Sequence, residues 1–193
     1  MSWRLAAVVL SGWLAADMSA TEERDLFVFV ESGVWDISDD GLPFRAGVIL
    51  PSHHDPLSRF LRMREPRWVL AVGYALIPDV YDEGTGQLSA AGGNGFLVGA
   101  AREWAWELPR VLGERASLAL AIDFGLHYAT RTLPPNGTHA NFLVSPGLSW
   151  ESAPDPGRAR WHVGLRWFHL SNADVFGRNA GYDGISLRFG RSW

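Results

Sequence analysis

Residues 117–128 read Ser117-Leu118-Ala119-Leu120-Ala121-Ile122-Asp123-Phe124-Gly125-Leu126-His127-Tyr128. Every second side chain, from Leu118 to Tyr128, is large and apolar; the interleaved set is small or polar. A strand turns successive side chains to opposite faces, so this period of two predicts a β-strand with one apolar and one polar face. Trp68, Leu70, Val72, Tyr74 and Leu76 repeat the pattern, as do Phe142, Val144, Leu148 and Trp150, and Trp161, Val163, Leu165 and Trp167.

Eight such segments are legible, at roughly 25–35, 43–50, 66–76, 96–106, 116–128, 141–151, 159–171 and 183–193. Most are near the nine to eleven residues of a tilted membrane strand. Turn-rich stretches such as Leu133-Pro134-Pro135-Asn136-Gly137 and Pro154-Asp155-Pro156-Gly157 separate them. Asn136-Gly137-Thr138 fits a glycosylation sequon and reads as a turn, and the glycines at 84, 86, 92, 93 and 95 read as loop glycines. The connection over 51–65 is long for a turn. Arg102 falls on the apolar parity of its strand with Phe96, Val98 and Trp104, which predicts a bulge or a misread strand there.

Two all-β architectures fit: a soluble sandwich or barrel with its apolar face inward, or a transmembrane barrel with that face on lipid. The polar faces carry arginine, glutamate and histidine, which an apolar core does not tolerate unpaired. Trp35, Trp68, Trp104, Trp106, Tyr128, Trp150, Trp161 and Trp167 sit near strand ends, as in interfacial girdles. The last strand ends on Phe189 and the terminal Trp193, an aromatic ending that resembles an outer-membrane assembly signal. The expectation is an eight-stranded antiparallel up-and-down transmembrane barrel. It accounts for an aromatic-rich chain with no apolar run of about 20 residues, because a closed barrel needs none.

Composition agrees. The 193 residues include ten tryptophans, ten phenylalanines and no cysteine, which removes disulfides, thiolate metal sites and cysteine nucleophiles. All 17 basic residues are arginine and the net charge is −4, which gives no support for nucleic-acid binding. Met1–Ala20 reads as a signal peptide, with Arg4 before the apolar Leu5–Ala16 and cleavage near 16–20, so the barrel occupies 21–193.

The chemistry concentrates near the end. Past Trp167, the outward parity of the seventh strand continues to His169 and Ser171, and the hairpin to the eighth brings Asp183 back beside His169. With both termini in the periplasm, the three converge on the lipid-facing wall at outer-leaflet height. Serine needs a base, histidine can take its proton, and a carboxylate fixes the imidazole tautomer. The same three residues could also form a polar girdle without chemistry.

The stretch Arg166-Trp167-Phe168-His169-Leu170-Ser171-Asn172-Ala173, followed by Asn179-Ala180-Gly181-Tyr182-Asp183, resembles the C-terminal signature of the PagL family of lipid A 3-O-deacylases. The resemblance implies His169 as general base, Ser171 as nucleophile and Asp183 as the triad acid. It implies that Asn172 forms or orients the oxyanion hole, and that Asn179 and Gly181 shape the loop. The family acid is usually glutamate, one methylene longer, and Arg178 stands where a proline is usual. The implied activity is serine-esterase removal of the 3-O-linked 3-hydroxyacyl chain of lipid A in the bacterial outer membrane, without cofactor or metal. Its partners are lipid A and the membrane, with a homodimer left open. The alternatives are a non-catalytic structural or binding barrel and a phospholipase-type esterase.

Among the other candidates, His53-His54-Asp55 lacks a spaced third metal ligand. Glu103, Glu107, Asp123 and His127 are expected in a polar interior network. Arg131 and Arg178 are expected in outer loops, where they could meet lipid phosphates.

Overall fold

The alternation becomes a closed wall in the computed structural model, which describes residues 26–35, 43–52, 56–77, 79–81, 84–109, 115–133, 137–155, 158–173, 175 and 181–192. The strands are β1 (Phe27–Trp35), β2 (Pro43–Pro51), β3 (Arg64–Ile77), β4 (Val80–Tyr81), β5 (Leu88–Ala90), β6 (Gly93–Glu107), β7 (Ala116–Leu133), β8 (Thr138–Ser152), β9 (Trp161–Ser171) and β10 (Tyr182–Ser192). One short helix, α1 (Pro56–Phe60), lies between β2 and β3. Eight strands close in the order β1-β10-β9-β8-β7-β6-β3-β2, each antiparallel to its neighbours. Pairing of Phe27 with Ser192 and of Trp35 with Gly184 seals the seam, so no sheet edge is left open.

All eight strands read from the alternation are present. β4 and β5 pair only with each other, as a small hairpin inside the connection from β3 to β6. The long connection after β2 holds α1. The Met1–Ala20 segment, His53-His54-Asp55, Arg178, Asn179 and Trp193 lie outside the described residues.

Four expectations are corrected, three on the strands and one, Glu107, in the interior. No bulge occurs at Arg102: β6 pairs with β7 without a break from Leu97 to Glu107, and the irregularity in this region falls on β3 between Arg64 and Arg67. Arg102 stays on the outward face, with its guanidinium over the Trp68 ring at 5.5 Å and the Trp104 ring at 5.8 Å. Arg131 lies inside β7, which runs on to Leu133. Gly93 and Gly95 belong to β6, although Gly93 keeps the positive φ of 135° that makes glycine the fitting residue there.

The two faces differ as the alternation requires. Outward are Leu70, Val72, Phe96, Val98, Leu120, Phe124, Leu126, Leu165, Leu187 and Phe189, all exposed. An apolar face this extensive on a soluble monomer would be an association hazard; on a barrel it is the lipid contact. Inward, the buried charges among the described residues are four arginines (Arg45, Arg67, Arg166, Arg188) and four acids (Glu31, Glu103, Asp123, Glu151). Arg188 bonds Glu31 at 2.7 Å and Asp123 at 2.6 Å, and Arg166 bonds Glu103 at 2.8 Å. Arg67 bridges Glu103 and Glu151, and Arg45 pairs with Glu31. Buried charges persist when each is paired and hydrogen-bonded, and this set is balanced. Glu103, Asp123 and His127 thus join the interior as expected. Glu107 is exposed at the end of β6 and does not.

Leu97, Leu143, Phe168, Leu170 and Tyr182 fill the interior toward the end that carries the 77–93, 133–138 and 171–182 connections, called here the upper end. A cavity of about 20 Å³ lies between these residues and the Glu31–Arg45 pair, which is room for one water. The barrel is a filled cylinder, so chemistry on a large substrate belongs on its outer wall.

Candidate active site

The outward face of β9 runs Trp161, Val163, Leu165, Trp167 and then His169 and Ser171, because each is two residues from the last. Phe168 and Leu170, of the opposite parity, are buried inside. Antiparallel pairing places Asp183 of β10 directly across from His169, and Val144 of β8 on its other side. His169 Nδ1 lies 3.0 Å from Asp183 Oδ1. A carboxylate can only accept, so Nδ1–H donates and Nε2 keeps the lone pair. Both groups are reachable from outside, with His169 32% and Asp183 53% exposed. The sequence thus predicted this pair in partner and in face.

Ser171 shares their face, one pleat above His169, and stands opposite Phe142. Among the described residues no side-chain hydrogen bond joins Ser171 to His169. The i, i+2 spacing leaves serine and imidazole as same-face neighbours at the rim.

Two neighbours hold the imidazole. The Trp167 ring stacks on it, with centroids 6.0 Å apart and planes 19° from parallel. Gly181 lies against its other parts: a Cβ built there would come within 2.7 Å of His169 Cε1. Gly181 therefore leaves the imidazole its room by having no side chain. Trp167 was visible in the sequence as an outward aromatic, but nothing in its parity separated a girdle tryptophan from an imidazole support.

Asn172 is turned the other way, into the barrel, and is 2% exposed. Its carbonyl accepts from the Val175 N–H at 3.0 Å, and Ala173 holds a left-handed φ of 51°. The chain thus turns sharply just past the serine. Among the described residues no group of three or more histidine and carboxylate side chains is placed to hold a metal ion.

The family model for lipid A 3-O-deacylase (PagL) matches residues 80–192. The chain belongs to the PagL family. The matched span runs from β4 to β10 and includes His169, Ser171, Asn172, Asn179, Gly181 and Asp183. A solved structure, described as the outer membrane enzyme PagL, superposes with a TM-score of 0.56 at 18% identity. The alignment covers 85% of this chain and 97% of that one. At this identity the likeness speaks for the barrel. No curated protein matches the chain by sequence.

Proposed function

We propose that this barrel removes the 3-O-linked 3-hydroxyacyl chain of lipid A with a Ser171–His169–Asp183 triad facing the outer leaflet of the bacterial outer membrane. Membership of the PagL family makes the chain a lipid A deacylase and an ester hydrolase. The observation that carries the residue assignment is the 3.0 Å contact of His169 with Asp183 on an otherwise apolar, outward-facing wall. A polar pair there gains nothing from the barrel interior, and it sits where an amphiphile's ester would lie.

In the mechanism, Ser171 Oγ attacks the ester carbonyl while His169 Nε2 takes its proton. Asp183 holds the ring by its Nδ1–H and stabilises the imidazolium that forms. The tetrahedral intermediate collapses, and His169 returns the proton to the departing 3-hydroxyl oxygen of the sugar. Water, deprotonated by His169, then releases the 3-hydroxy fatty acid from Ser171. Backbone N–H groups in the turn after Ser171 are suited to the oxyanion. Leu165, Trp167, Ile185 and Leu187, exposed below the triad, offer the acyl chain an apolar path. Asp183 reaches the imidazole despite lacking the methylene of glutamate, because β9 and β10 pair directly at this level.

A fluorophosphonate probe tests the nucleophile. Attack by Ser171 forms an O–P bond and expels fluoride, so the intact protein should gain one phosphonyl group, located on the Ser171 peptide. Ser171→Ala should take up none, and His169→Asn should label far more slowly. Labelling of another residue, or equal rates in His169→Asn, overturns the assignment.

A further inference from the structure

The lower end of the barrel, opposite the triad, carries a second set of outward polar groups. α1 turns Leu57, Phe60 and, just past its end, Leu61 to one side, the i, i+3, i+4 spacing of a helical stripe. They are 52%, 82% and 40% exposed, while Ser58, about a quarter-turn from the stripe, is 1% exposed. The Leu61 N–H still bonds the Leu57 carbonyl at 2.9 Å, so helical spacing holds through Leu61. Arg59, on the side of the helix away from the stripe, and Arg62, just past its end, are exposed. Arg62 has a φ of 54°, a left-handed conformation that an arginine adopts at a cost.

The adjoining wall continues the pattern. Arg102 faces outward between Trp68 and Trp104, and its guanidinium donates to Ser52 Oγ at 3.3 Å, beside the start of the α1 connection. Arg64 and Arg67, nearby in sequence, serve the interior instead, where Glu103 and Glu151 neutralise them. An arginine facing hydrocarbon costs about 2–4 kcal/mol at mid-bilayer and about 0–1 kcal/mol near the interface. The level of Arg102, which reaches Ser52 at the start of the α1 connection, with Arg59 in α1 and Arg62 just past it, therefore matches a headgroup layer. A planar guanidinium stacked on rings is well suited to a phosphate diester.

We infer that α1 with the Trp68–Arg102–Trp104 sandwich is a docking site for anionic phospholipid of the leaflet opposite the triad. Leu57, Phe60 and Leu61 enter the acyl boundary, continuous with the outward belt of β3 and β6. Arg59, Arg62 and Arg102 take the phosphates. The site holds the barrel at a fixed depth, and hence holds His169 and Ser171 at the level of the opposite leaflet's esters. The inference rests on reading the barrel as membrane-spanning.

Native mass spectrometry of the detergent-purified full chain, titrated with phosphatidylglycerol or with phosphatidylethanolamine, tests it. The wild type should retain phosphatidylglycerol in preference. Arg59→Gln/Arg62→Gln, on an exposed helix, and Arg102→Gln should each weaken retention by about fivefold per arginine. Inorganic phosphate should not displace the lipid. Equal retention of the two lipids, unchanged retention in the variants, or displacement by inorganic phosphate at lipid-equivalent concentration overturns the inference. Deacylation of lipid A in mixed micelles, measured on the same preparations, should be unchanged in Arg59→Gln/Arg62→Gln. Failure of lipid retention with that activity intact counts against the docking site alone, whereas an inactive wild type counts against the proposed function.

Discussion

At the scale of single residues, the site depends on what leaves the imidazole room and what fixes it. Gly181 approaches His169 so closely that any side chain would push the ring, since the nearest atom to an added Cβ is Cε1 at 2.7 Å. The ring cannot yield freely, because Trp167 stacks on it and Asp183 holds Nδ1. Gly181→Ala should therefore lower kcat by about 100-fold, as a displacement of about 1 Å does for a catalytic group, while the barrel stays folded by its heat-modifiable gel mobility. Full activity in that variant would show that the ring's position does not matter to the reaction. In the sequence this glycine came only with the family signature. Close approach is a property of two segments meeting, and spacing along one segment does not contain it.

At the scale of elements, β9 and β10 were legible to within two residues at each end. Their alternation is unbroken, and parity carried forward from Trp167 and back from Ile185 placed His169, Ser171 and Asp183 on one face. The two strands are antiparallel neighbours, and the register found pairs His169 with Asp183. β6 was harder. An arginine on the apolar parity invited a bulge, whereas the chain keeps its register and rests the guanidinium between two tryptophan rings that are distant in sequence from each other. That solution needs β3 and β6 side by side, a fact of closure that β6 alone does not reveal. β4, β5 and α1, of two, three and five residues, are too short for any period to register.

At the scale of the whole molecule, the inside-out arrangement makes the interior electrostatic. Glu103 faces Arg67, Arg166 and Arg188 from one position. Its removal leaves several guanidinium groups short of a counter-charge in a filled barrel. Glu103→Gln should destabilise the fold by about 3–5 kcal/mol, the cost of breaking a buried ion pair, read as a lower urea midpoint for the folded barrel in vesicles. A shift worth less than about 1 kcal/mol would mean that the network is hydrated and does not act as a core. The sequence foretold a polar interior but not this wiring, because the partners of Glu103 come from β3, β9 and β10.

The same arrangement puts His169, Ser171 and Asp183 outside, above the exposed apolar Leu165, Trp167, Ile185 and Leu187, so the proposed reaction is on a lipid ester. Mass spectrometry of lipid A from cells expressing the wild type or Ser171→Ala tests it most directly. The wild type should convert lipid A to a species lighter by one 3-hydroxyacyl chain, with the matching 3-hydroxy fatty acid released. Ser171→Ala, folded and in equal amount, should leave lipid A unchanged. An unchanged spectrum with the folded wild type, or the same loss of mass with Ser171→Ala, would contradict it.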